Sequence, residues 1–356
     1  MEGKVMMILN SNQKMFSLIF FCLSLLVSCQ LSSSQTGRSI SSSLPTLLPT
    51  STESTIIRKD IKYELTYFSD CGTDIQCMYA IEIGCLETEN PCIGETQLLF
   101  KIEKDGEGPN YFVSSGSWSP DGQQVVVSAT GNNGRGDIFL GDWAGKKWTN
   151  LTNSPNNEWE PVWSLDGQSI IYIAKPDDSS GAFKIISISP DGKNKSQLFQ
   201  EAASSFTNIL YPFWSSDNKQ ITFTHSDENG YDQIFIANLD GTDIKQITNQ
   251  LEDHIDPHYS QDGQWIVFRK ELQKNNNTSD LYMIRPDGTG EKAITRGNNF
   301  WKGEQTWSPT ENWIAYVEIA DDNFDIYLIR SDGEKLIKVT KNNIEKISLA
   351  WRSSLP

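Results

Sequence analysis

Trp118-Ser119-Pro120-Asp121-Gly122 is the segment that decides the fold, because near-copies of it return almost to the C-terminus. The copies are Trp163-Ser164-Leu165-Asp166-Gly167, Trp214-Ser215-Ser216-Asp217-Asn218, Tyr259-Ser260-Gln261-Asp262-Gly263, Trp307-Ser308-Pro309-Thr310-Glu311-Asn312 and the truncated Trp351-Arg352-Ser353. Their first residues are separated by 45, 51, 45, 48 and 44 residues. Repeats of this length, built of short strands and turn residues, are typical of β-propeller blades.

Each repeat predicts four antiparallel strands. In the first repeat a strand ends at Trp118, Pro120 and Gly122 form a turn, and a second strand follows at 124–130. Third and fourth strands begin at 137 and 147. The other repeats predict second strands at 169–174, 220–225, 265–270 and 313–318, third strands at 183–188, 232–237, 280–285 and 324–329, and fourth strands that end in Thr248, Thr295 and Thr340.

The two ends of the repeat region complete each other. Residues 61–68, 75–83 and 97–102 predict a second, third and fourth strand with no first strand before them, and 347–351 predicts a first strand with nothing after it. Joined, they form one blade, which closes the ring and removes its two free sheet edges. The sequence therefore predicts an all-β, six-bladed β-propeller whose closing blade is shared between N- and C-terminal strands.

These repeats resemble the WD-repeat-like propeller repeats of the TolB family. The resemblance rests on the Trp-Ser-Pro-Asp-Gly copies, on third strands such as Asp325-Ile326-Tyr327, and on the apolar-Thr endings, and it covers about residues 61–356. It implies a propeller in the periplasm or at the cell surface. TolB proteins have an α/β domain before the propeller and no lipid anchor, so their Pal-binding role is not carried over to this chain.

The N-terminus predicts export. Lys4 and Lys14 precede an apolar run at 16–27, which is too short to span a bilayer but suits a secretory signal. The run ends in Leu26-Val27-Ser28-Cys29, which resembles a bacterial lipobox and implies cleavage before Cys29 and lipidation of that residue. The alternative is an ordinary signal peptide with a chance cysteine.

These features predict a domain order and a location. Residues 1–28 are predicted to be a lipoprotein signal peptide, 29–57 a Ser/Thr-rich disordered tether and 58–356 the propeller. The protein would be an exported lipoprotein, periplasmic or at the cell surface, and monomeric. A net charge of −16 repels nucleic acid and anionic headgroups, so nucleic acid is excluded as a partner and the lipid would be the only contact with a membrane.

Four cysteines lie in the closing blade. An even number of cysteines in an exported chain favours disulfides. Cys77 and Cys85 fall at opposite ends of the predicted third strand, roughly 26 Å apart at about 3.3 Å per residue, so Cys71 is expected to pair with Cys77 and Cys85 with Cys92. The alternative, a four-cysteine zinc site, requires all four side chains to meet.

Candidate binding residues lie where second-to-third loops and inter-blade connections meet, on what we call the loop face. Three positions before each repeat Trp or Tyr stand Ser115, Glu160, Tyr211, Asp256, Glu304 and Ser348. The three carboxylates are expected near one mouth of the central channel, where they would bind a cation or a basic group of a partner. Alternatively they cap turns or pair with Lys302.

Aromatic residues in the same connections are further candidates. They are Tyr111, Trp159, Phe206, Phe300 and Trp301. Aromatic rings beside carboxylates are typical of protein-binding hot spots and of sugar-stacking platforms. Packing between blades is the alternative for each of them.

The sequence favours a binding module over an enzyme. It has no Gly-x-Ser-x-Gly motif and only three His. We predict a lipid-anchored module that binds an envelope protein or a glycan on its loop face, with no cofactor. The alternative functions are a metal-dependent carbohydrate-active lyase or hydrolase using His254, Asp256, His258 and Glu304, and a structural scaffold.

Overall fold

The computed structural model describes residues 63–353, apart from 73–74, 87, 89, 104–108, 110–112, 132–133, 177–181, 200–207, 273–277, 298–299, 311, 322 and 341–344. All described residues lie in one compact unit, Asp60–Pro356. The signal peptide, Cys29 and the tether therefore lie outside the described residues. Within the described part of the chain, no helix is long and apolar enough to cross a membrane.

The described elements are strands, arranged as six four-stranded sheets. The closing blade contains β1 (Tyr63–Gly72), β2 (Ile75–Gly84), β3 (Cys92–Glu103) and the C-terminal β24 (Ile347–Ser353). Blade 2 contains β4 (Val113–Trp118), β5 (Gln124–Thr130), β6 (Gly136–Asp142) and β7 (Trp148–Asn150). Blade 3 contains β8 (Asn157–Trp163), β9 (Ile170–Lys175), β10 (Lys184–Ile188) and β11 (Ser196–Gln197). Blade 4 contains β12 (Ile209–Trp214), β13 (Gln220–Ser226), β14 (Asp232–Asn238) and β15 (Lys245–Gln246). Blade 5 contains β16 (His254–Tyr259), β17 (Ile266–Glu271), β18 (Ser279–Ile284) and β19 (Lys292–Ala293). Blade 6 contains β20 (Trp301–Trp307), β21 (Trp313–Ala320), β22 (Asn323–Arg330) and β23 (Leu336–Lys338).

The first strand of each repeat lies innermost. These six strands (β24, β4, β8, β12, β16 and β20) contact one another in a ring and line the central channel. Because all pairings within a blade are antiparallel, first-to-second and third-to-fourth turns emerge on one face, the short-turn face. Second-to-third loops and inter-blade connections emerge on the loop face, as predicted.

The closing blade is confirmed. β24 pairs with β1, with Leu65 opposite Trp351 and Tyr63 opposite Ser353. An ion pair joins these strands, since Arg352 Nη2 lies 2.5 Å from Glu64 Oε2 in a largely buried position. The Arg352 guanidinium also lies 5.0 Å from the ring centre of Trp118 in blade 2. Closure therefore joins three chain segments that are far apart in the sequence.

The repeat tryptophans hold neighbouring blades together. Trp118 Nε1 donates to Thr66 Oγ1 of the closing blade at 2.8 Å, Trp214 Nε1 to the Val162 carbonyl of blade 3 at 3.2 Å, and Trp307 Nε1 to the His258 carbonyl of blade 5 at 3.1 Å. Their rings pack in apolar clusters that take side chains from both blades of a pair. A large ring fills these interfaces, and its N–H donor also joins the two blades at the three junctions named above. Among the described residues, the Nε1 atoms of Trp163 and Trp351 have no hydrogen-bond partner.

The rest of the repeat forms the predicted turn. Ser119 Oγ donates to Asp121 Oδ1 at 2.6 Å and accepts the Gln124 N–H at 3.0 Å, and the same Ser-Asp contact recurs in blades 3, 4 and 5. Gly122 has φ 68°, and a Cβ there would lie 2.6 Å from the Ser353 carbonyl oxygen. Glycine is thus required by the backbone and by the close approach of β24.

The outer strands differ from the prediction. Fourth strands were expected to end in Thr248, Thr295 and Thr340, but β15, β19 and β23 are only two or three residues long and each ends before its Thr. The Thr hydroxyl replaces a ladder hydrogen bond, because Thr152, Thr248, Thr295 and Thr340 each accept the N–H of a third-strand residue at 2.9–3.0 Å. The Asp at the start of the third strand completes this contact, as in Thr295 Oγ1 to Asp280 Oδ1 at 2.7 Å.

The closing blade carries both disulfides. Cys71 is bonded to Cys77 and Cys85 to Cys92, which is the predicted pairing and excludes the four-cysteine zinc site. β3 begins at Cys92, five residues earlier than predicted, so the second disulfide closes the loop directly between β2 and β3.

Candidate functional site

A ring of unusual backbone conformations surrounds the channel. Five of the six positions that precede a repeat Trp or Tyr by three residues have a left-handed backbone: Glu160 (φ 54°), Tyr211 (52°), Asp256 (60°), Glu304 (53°) and Ser348 (57°). Each lies where the pairing of the innermost strand with its neighbour shifts register. Non-glycine residues pay an energetic cost for this conformation, which is commonest at functional sites. We call these residues, with Ser115, the bulge ring.

The bulge ring lies deeper than the sequence predicted. Glu160 is the middle residue of β8 (Asn157–Trp163), and Glu304 is the middle residue of β20 (Trp301–Trp307). The carboxylates were expected near a mouth of the channel. The structure places them about halfway along it, because the innermost strands extend beyond the bulge toward the loop face.

Hydrogen bonds link the ring across blade junctions. Glu160 N–H donates to Ser115 Oγ at 3.1 Å, Tyr211 N–H to Glu160 Oε2 at 2.6 Å, and Ser348 N–H to Glu304 Oε2 at 3.0 Å. Each contact runs from one blade's bulge residue to the preceding blade's side chain. The register shift frees these N–H groups from the sheet, and the polar side chains satisfy them.

Three junctions use substitutes for this pattern. Tyr211 offers no carboxylate, and the Asp256 N–H is accepted by Thr224 Oγ1 of the same blade as Tyr211 at 3.2 Å. Between blades 5 and 6, Gln305 Nε2 donates to the Asp256 carbonyl. Ser348 Oγ donates to the Gly116 carbonyl at 3.4 Å and joins the closing blade to blade 2.

Two carboxyl groups of the ring, Glu160 and Glu304, have pKa values well above their usual range. Removal from bulk water is the main cause that raises the pKa of Glu160 to about 8, and the Asp256 and Glu304 carboxylates add to it. Burial likewise raises the pKa of Glu304 to about 7, with repulsion from Asp256 acting in the same direction. The Tyr211 N–H and the Ser348 N–H oppose these shifts without cancelling them. The ring therefore holds protons near neutral pH.

Basic side chains of the described residues lie close to the ring. His258 Nε2 lies 3.2 Å from Asp256 Oδ1, and its ring stacks on Phe213 at 4.2 Å. Lys302, the expected alternative partner of the carboxylates, is buried and lies 3.1 Å from Asp280 Oδ1 and 3.9 Å from Glu318 Oε2 instead. Lys302, in the innermost strand of blade 6, thus pairs with the third strand of blade 5 and the second strand of blade 6 and not with the bulge ring.

The aromatic candidates divide into packed residues and residues outside the described ranges. Trp159 meets Phe183 edge-on at 5.5 Å and packs on the cluster between blades 3 and 4. Trp301 lies under Arg269 at 5.4 Å and packs on the cluster of blade 6 and the closing blade. Phe300 is partly buried and its carbonyl accepts the Ser279 N–H at 3.1 Å. Tyr111 and Phe206 lie outside the described residues.

The alternative metal site is only partly assembled, because His258 contacts Asp256 but His254 bonds elsewhere. His254 is fully buried, and its two ring nitrogens contact the Glu252 carbonyl at 2.9 Å and Gln250 Oε1 at 2.7 Å. Burial lowers its pKa to about 4. The register shift between Ile255 and His258 interrupts the regular strand alternation that would place His254 and His258 on the same side. Among the residues that the structure describes, no group of three or more His, Cys, Asp or Glu side chains is arranged to hold a metal.

The bulges themselves were missed, although the sequence carries a signal for them. Glu160, Tyr211 and Asp256 each precede a proline, namely Pro161, Pro212 and Pro257. A residue before proline avoids the right-handed helical region, and proline has no N–H to place in a ladder. Blade 6 has Gln305 at the proline position, and its amide takes over the contact to Asp256.

Comparison with known proteins agrees with the propeller fold. A family described as TolB beta propeller domain matches residues 179–355. The crystal structure of TolB from Acinetobacter baumannii has a TM-score of 0.61 to this chain at 15% identity, covering 82% of this chain and 67% of that one. The chain is a TolB-like β-propeller. The Tol-Pal system protein TolB of Francisella tularensis subsp. mediasiatica is 23% identical over 275 residues, which are 74% of this TolB-like chain and 60% of the relative.

A second similar protein is described as a peptidase and not as a Tol-Pal system protein. An uncharacterized peptidase, YuxL of Bacillus subtilis (strain 168), is 24% identical over 170 residues. The match covers 47% of the TolB-like chain but only 23% of YuxL, so the chain spans about a quarter of that relative's length.

Proposed function

We propose that this TolB-like propeller is an exported binding module that holds an envelope protein on its loop face, with a basic group of the partner inserted toward the bulge ring. The bulge ring carries the proposal. Burial and repulsion from the Asp256 carboxylate raise the pKa of Glu160 and of Glu304, so these two side chains hold protons in the free protein. An ammonium or guanidinium group from a partner would replace those protons and pair with the carboxylates.

The similarity to a Tol-Pal system protein supports an envelope setting. The two disulfides support an oxidising compartment, because such bonds persist outside the cytosol. Lipidation of Cys29 and a tether at 29–57 would then hold the ring near a membrane. Closure of the six sheets leaves few edges for self-association, which supports a monomer.

Affinity capture from envelope extracts of the source organism tests the proposal. The full chain is compared with the double variant Glu160→Gln and Glu304→Gln, which keeps hydrogen-bond acceptors but removes both charges. We expect the wild type to retain a protein that the double variant loses. Because a bound cation favours ionised carboxylates, retention should be stronger at pH 8 than at pH 6.

The matched control is the double variant Asp191→Asn and Asp240→Asn, which changes the same charge on the exposed short-turn face. It should retain the partner like the wild type. Equal retention by both double variants, or stronger retention at pH 6, would contradict insertion of a basic group at the ring.

The metal-dependent enzyme remains testable in its own right. The hypothesis requires His254, Asp256 and His258 to share an ion, and His254 is already bonded through both nitrogens. We expect metal analysis of the purified protein to give the same content for wild type and His254→Ala. Stoichiometric transition metal that is lost in His254→Ala would support the enzyme instead.

A further inference from the structure

A second concave site lies away from the channel, at the outer part of blade 4 on the loop face. It is a cavity of about 510 Å³ between the loop after β13 and the end of the outer strand β15. This volume falls in the range of about 300–1,000 Å³ that is common for small-molecule sites. The bulge-ring residues do not line it.

The floor of the cavity is aromatic. Phe235 is almost fully buried and stacks on Phe223, with ring centres 5.7 Å apart. The ring of His225 meets Phe235 edge-on at 5.6 Å, and His225 also lines the cavity. Burial lowers the pKa of His225, so its imidazole is neutral at pH 7. The floor therefore offers apolar and uncharged surface.

The walls are planar polar groups on a fixed loop. Asp227 Oδ1 accepts the Asn229 and Tyr231 N–H groups at 2.8 and 3.0 Å, and Asp227 N–H donates to the Tyr231 carbonyl at 2.7 Å. These bonds hold the loop before any ligand arrives. Asn229 and Glu228 line the cavity on this side.

The opposite wall is also polar. Gln246 Nε2 donates to the Thr248 carbonyl at 2.7 Å, which fixes the orientation of the amide, and Asn249 lies beside it. Amides and carboxylates arranged over an aromatic floor match vicinal hydroxyl groups, which both donate and accept. No Lys or Arg occurs among the described residues that line the cavity, so an anionic ligand would find no counter-charge.

We propose that this blade 4 cavity binds one or two units of a neutral saccharide. An apolar ligand would leave the polar walls without partners, and an anion would meet Asp227 and Glu228. The site is separate from the bulge ring, so it stands or falls independently of the proposed protein partner.

Saturation-transfer NMR and calorimetry test this with cellobiose, maltose, lactose and chitobiose as neutral probes and digalacturonate as the anionic one. We expect at least one neutral disaccharide to bind to the full chain. Gln246→Ala and Asn229→Ala should each weaken it by about tenfold, the loss of one or two hydrogen bonds. Gln168→Ala, an exposed amide on the short-turn face, is the matched control and should bind normally.

Several outcomes would overturn the proposal. One is that no neutral probe binds at a probe concentration of about 10 mM, which exceeds the ~1 mM dissociation constant of a weak complex. The others are that the protein binds digalacturonate more tightly than the neutral probes, and that both cavity variants bind with undiminished affinity. Loss of binding in the Glu160→Gln and Glu304→Gln double variant, with normal binding in the cavity variants, would place the sugar in the channel instead. Unchanged thermal unfolding of Gln246→Ala and Asn229→Ala shows that the variants are folded.

Discussion

Glu160 combines three features that act together at one position: a left-handed backbone, a carboxylate that accepts the Tyr211 N–H, and a pKa raised to about 8. The hydrogen bond requires an oxygen at this place, which a glutamine would also provide. The charge has no structural partner of comparable strength in the described ring. The structural hydrogen bond alone therefore does not explain why this residue carries an ionisable group.

Glu160 should make stability depend on pH. Its pKa rises from about 4.5 in the unfolded chain to about 8 on folding, so the folded state binds more protons between these values. The stabilisation is complete below the unfolded pKa and is lost as pH rises through the folded pKa. We expect the free energy of unfolding to fall by on the order of 1–3 kcal/mol from pH 5 to pH 8, since one pKa unit is worth about 1.4 kcal/mol.

Urea unfolding of Glu160→Gln over this pH range provides the measurement. The variant should show a smaller fall than the wild type, because its amide does not titrate. Glu95→Gln, on the exposed side of β3, should follow the wild type. A wild-type stability that rises with pH, or an equal fall in Glu160→Gln, would refute the assignment.

The pairing of β24 with β1 carries the closure of the ring. Thr66 Oγ1 donates to the Ala350 carbonyl at 2.9 Å and accepts Trp118 Nε1, so one hydroxyl ties both chain ends to blade 2. The Glu64–Arg352 ion pair lies next to this contact. Burial raises the pKa of Glu64, and Arg352 opposes that shift only in part. The pair thus relies on both partners being present.

Removal of Arg352 alone should be costly. We expect Arg352→Met to reduce the free energy of unfolding by about 2–4 kcal/mol, because Glu64 is left buried without its counter-charge. The double variant Glu64→Leu and Arg352→Met should recover much of the loss. Both are measured by chemical denaturation as a double-mutant cycle.

The exposed pair Lys193–Asp191 supplies the comparison, since its ends are 3.3 Å apart but lie in solvent. Lys193→Met should leave stability unchanged. A double variant as unstable as Arg352→Met would show that packing of the guanidinium on Trp118, and not the buried charge, accounts for the effect.

In the whole molecule, closure of the ring of six sheets depends on the C-terminal strand β24. Leu349 and Trp351 of β24 pack into the cluster between blade 6 and the closing blade. Ile347 and Ala350 pack into the cluster shared with blade 2. One strand therefore completes two interfaces as well as one sheet.

Deletion of residues 347–356 should open the ring. We expect loss of the cooperative thermal transition and self-association through the exposed edge of β1, whose ladder groups lose their partner. Light scattering and calorimetry measure both effects. Addition of a peptide with residues 345–356 should restore a monomer with a sharp transition; a truncated chain that stays monomeric and cooperative would show that closure is not needed.

The sequence by itself determined the six blades, the shared closing blade and the disulfide pairing, because each depends on local periodicity, turn residues and strand order. Trp118 and its copies, including Tyr259, recur because a large buried ring packs between neighbouring blades. The tertiary structure determined the arrangement of side chains in the channel, which the repeats alone do not specify. Three features depend on bulges and on distances across the channel, which link residues that are far apart in the chain. They are the depth of the carboxylates in the channel, the different partners of His254 and His258, and the raised pKa values of Glu160 and Glu304.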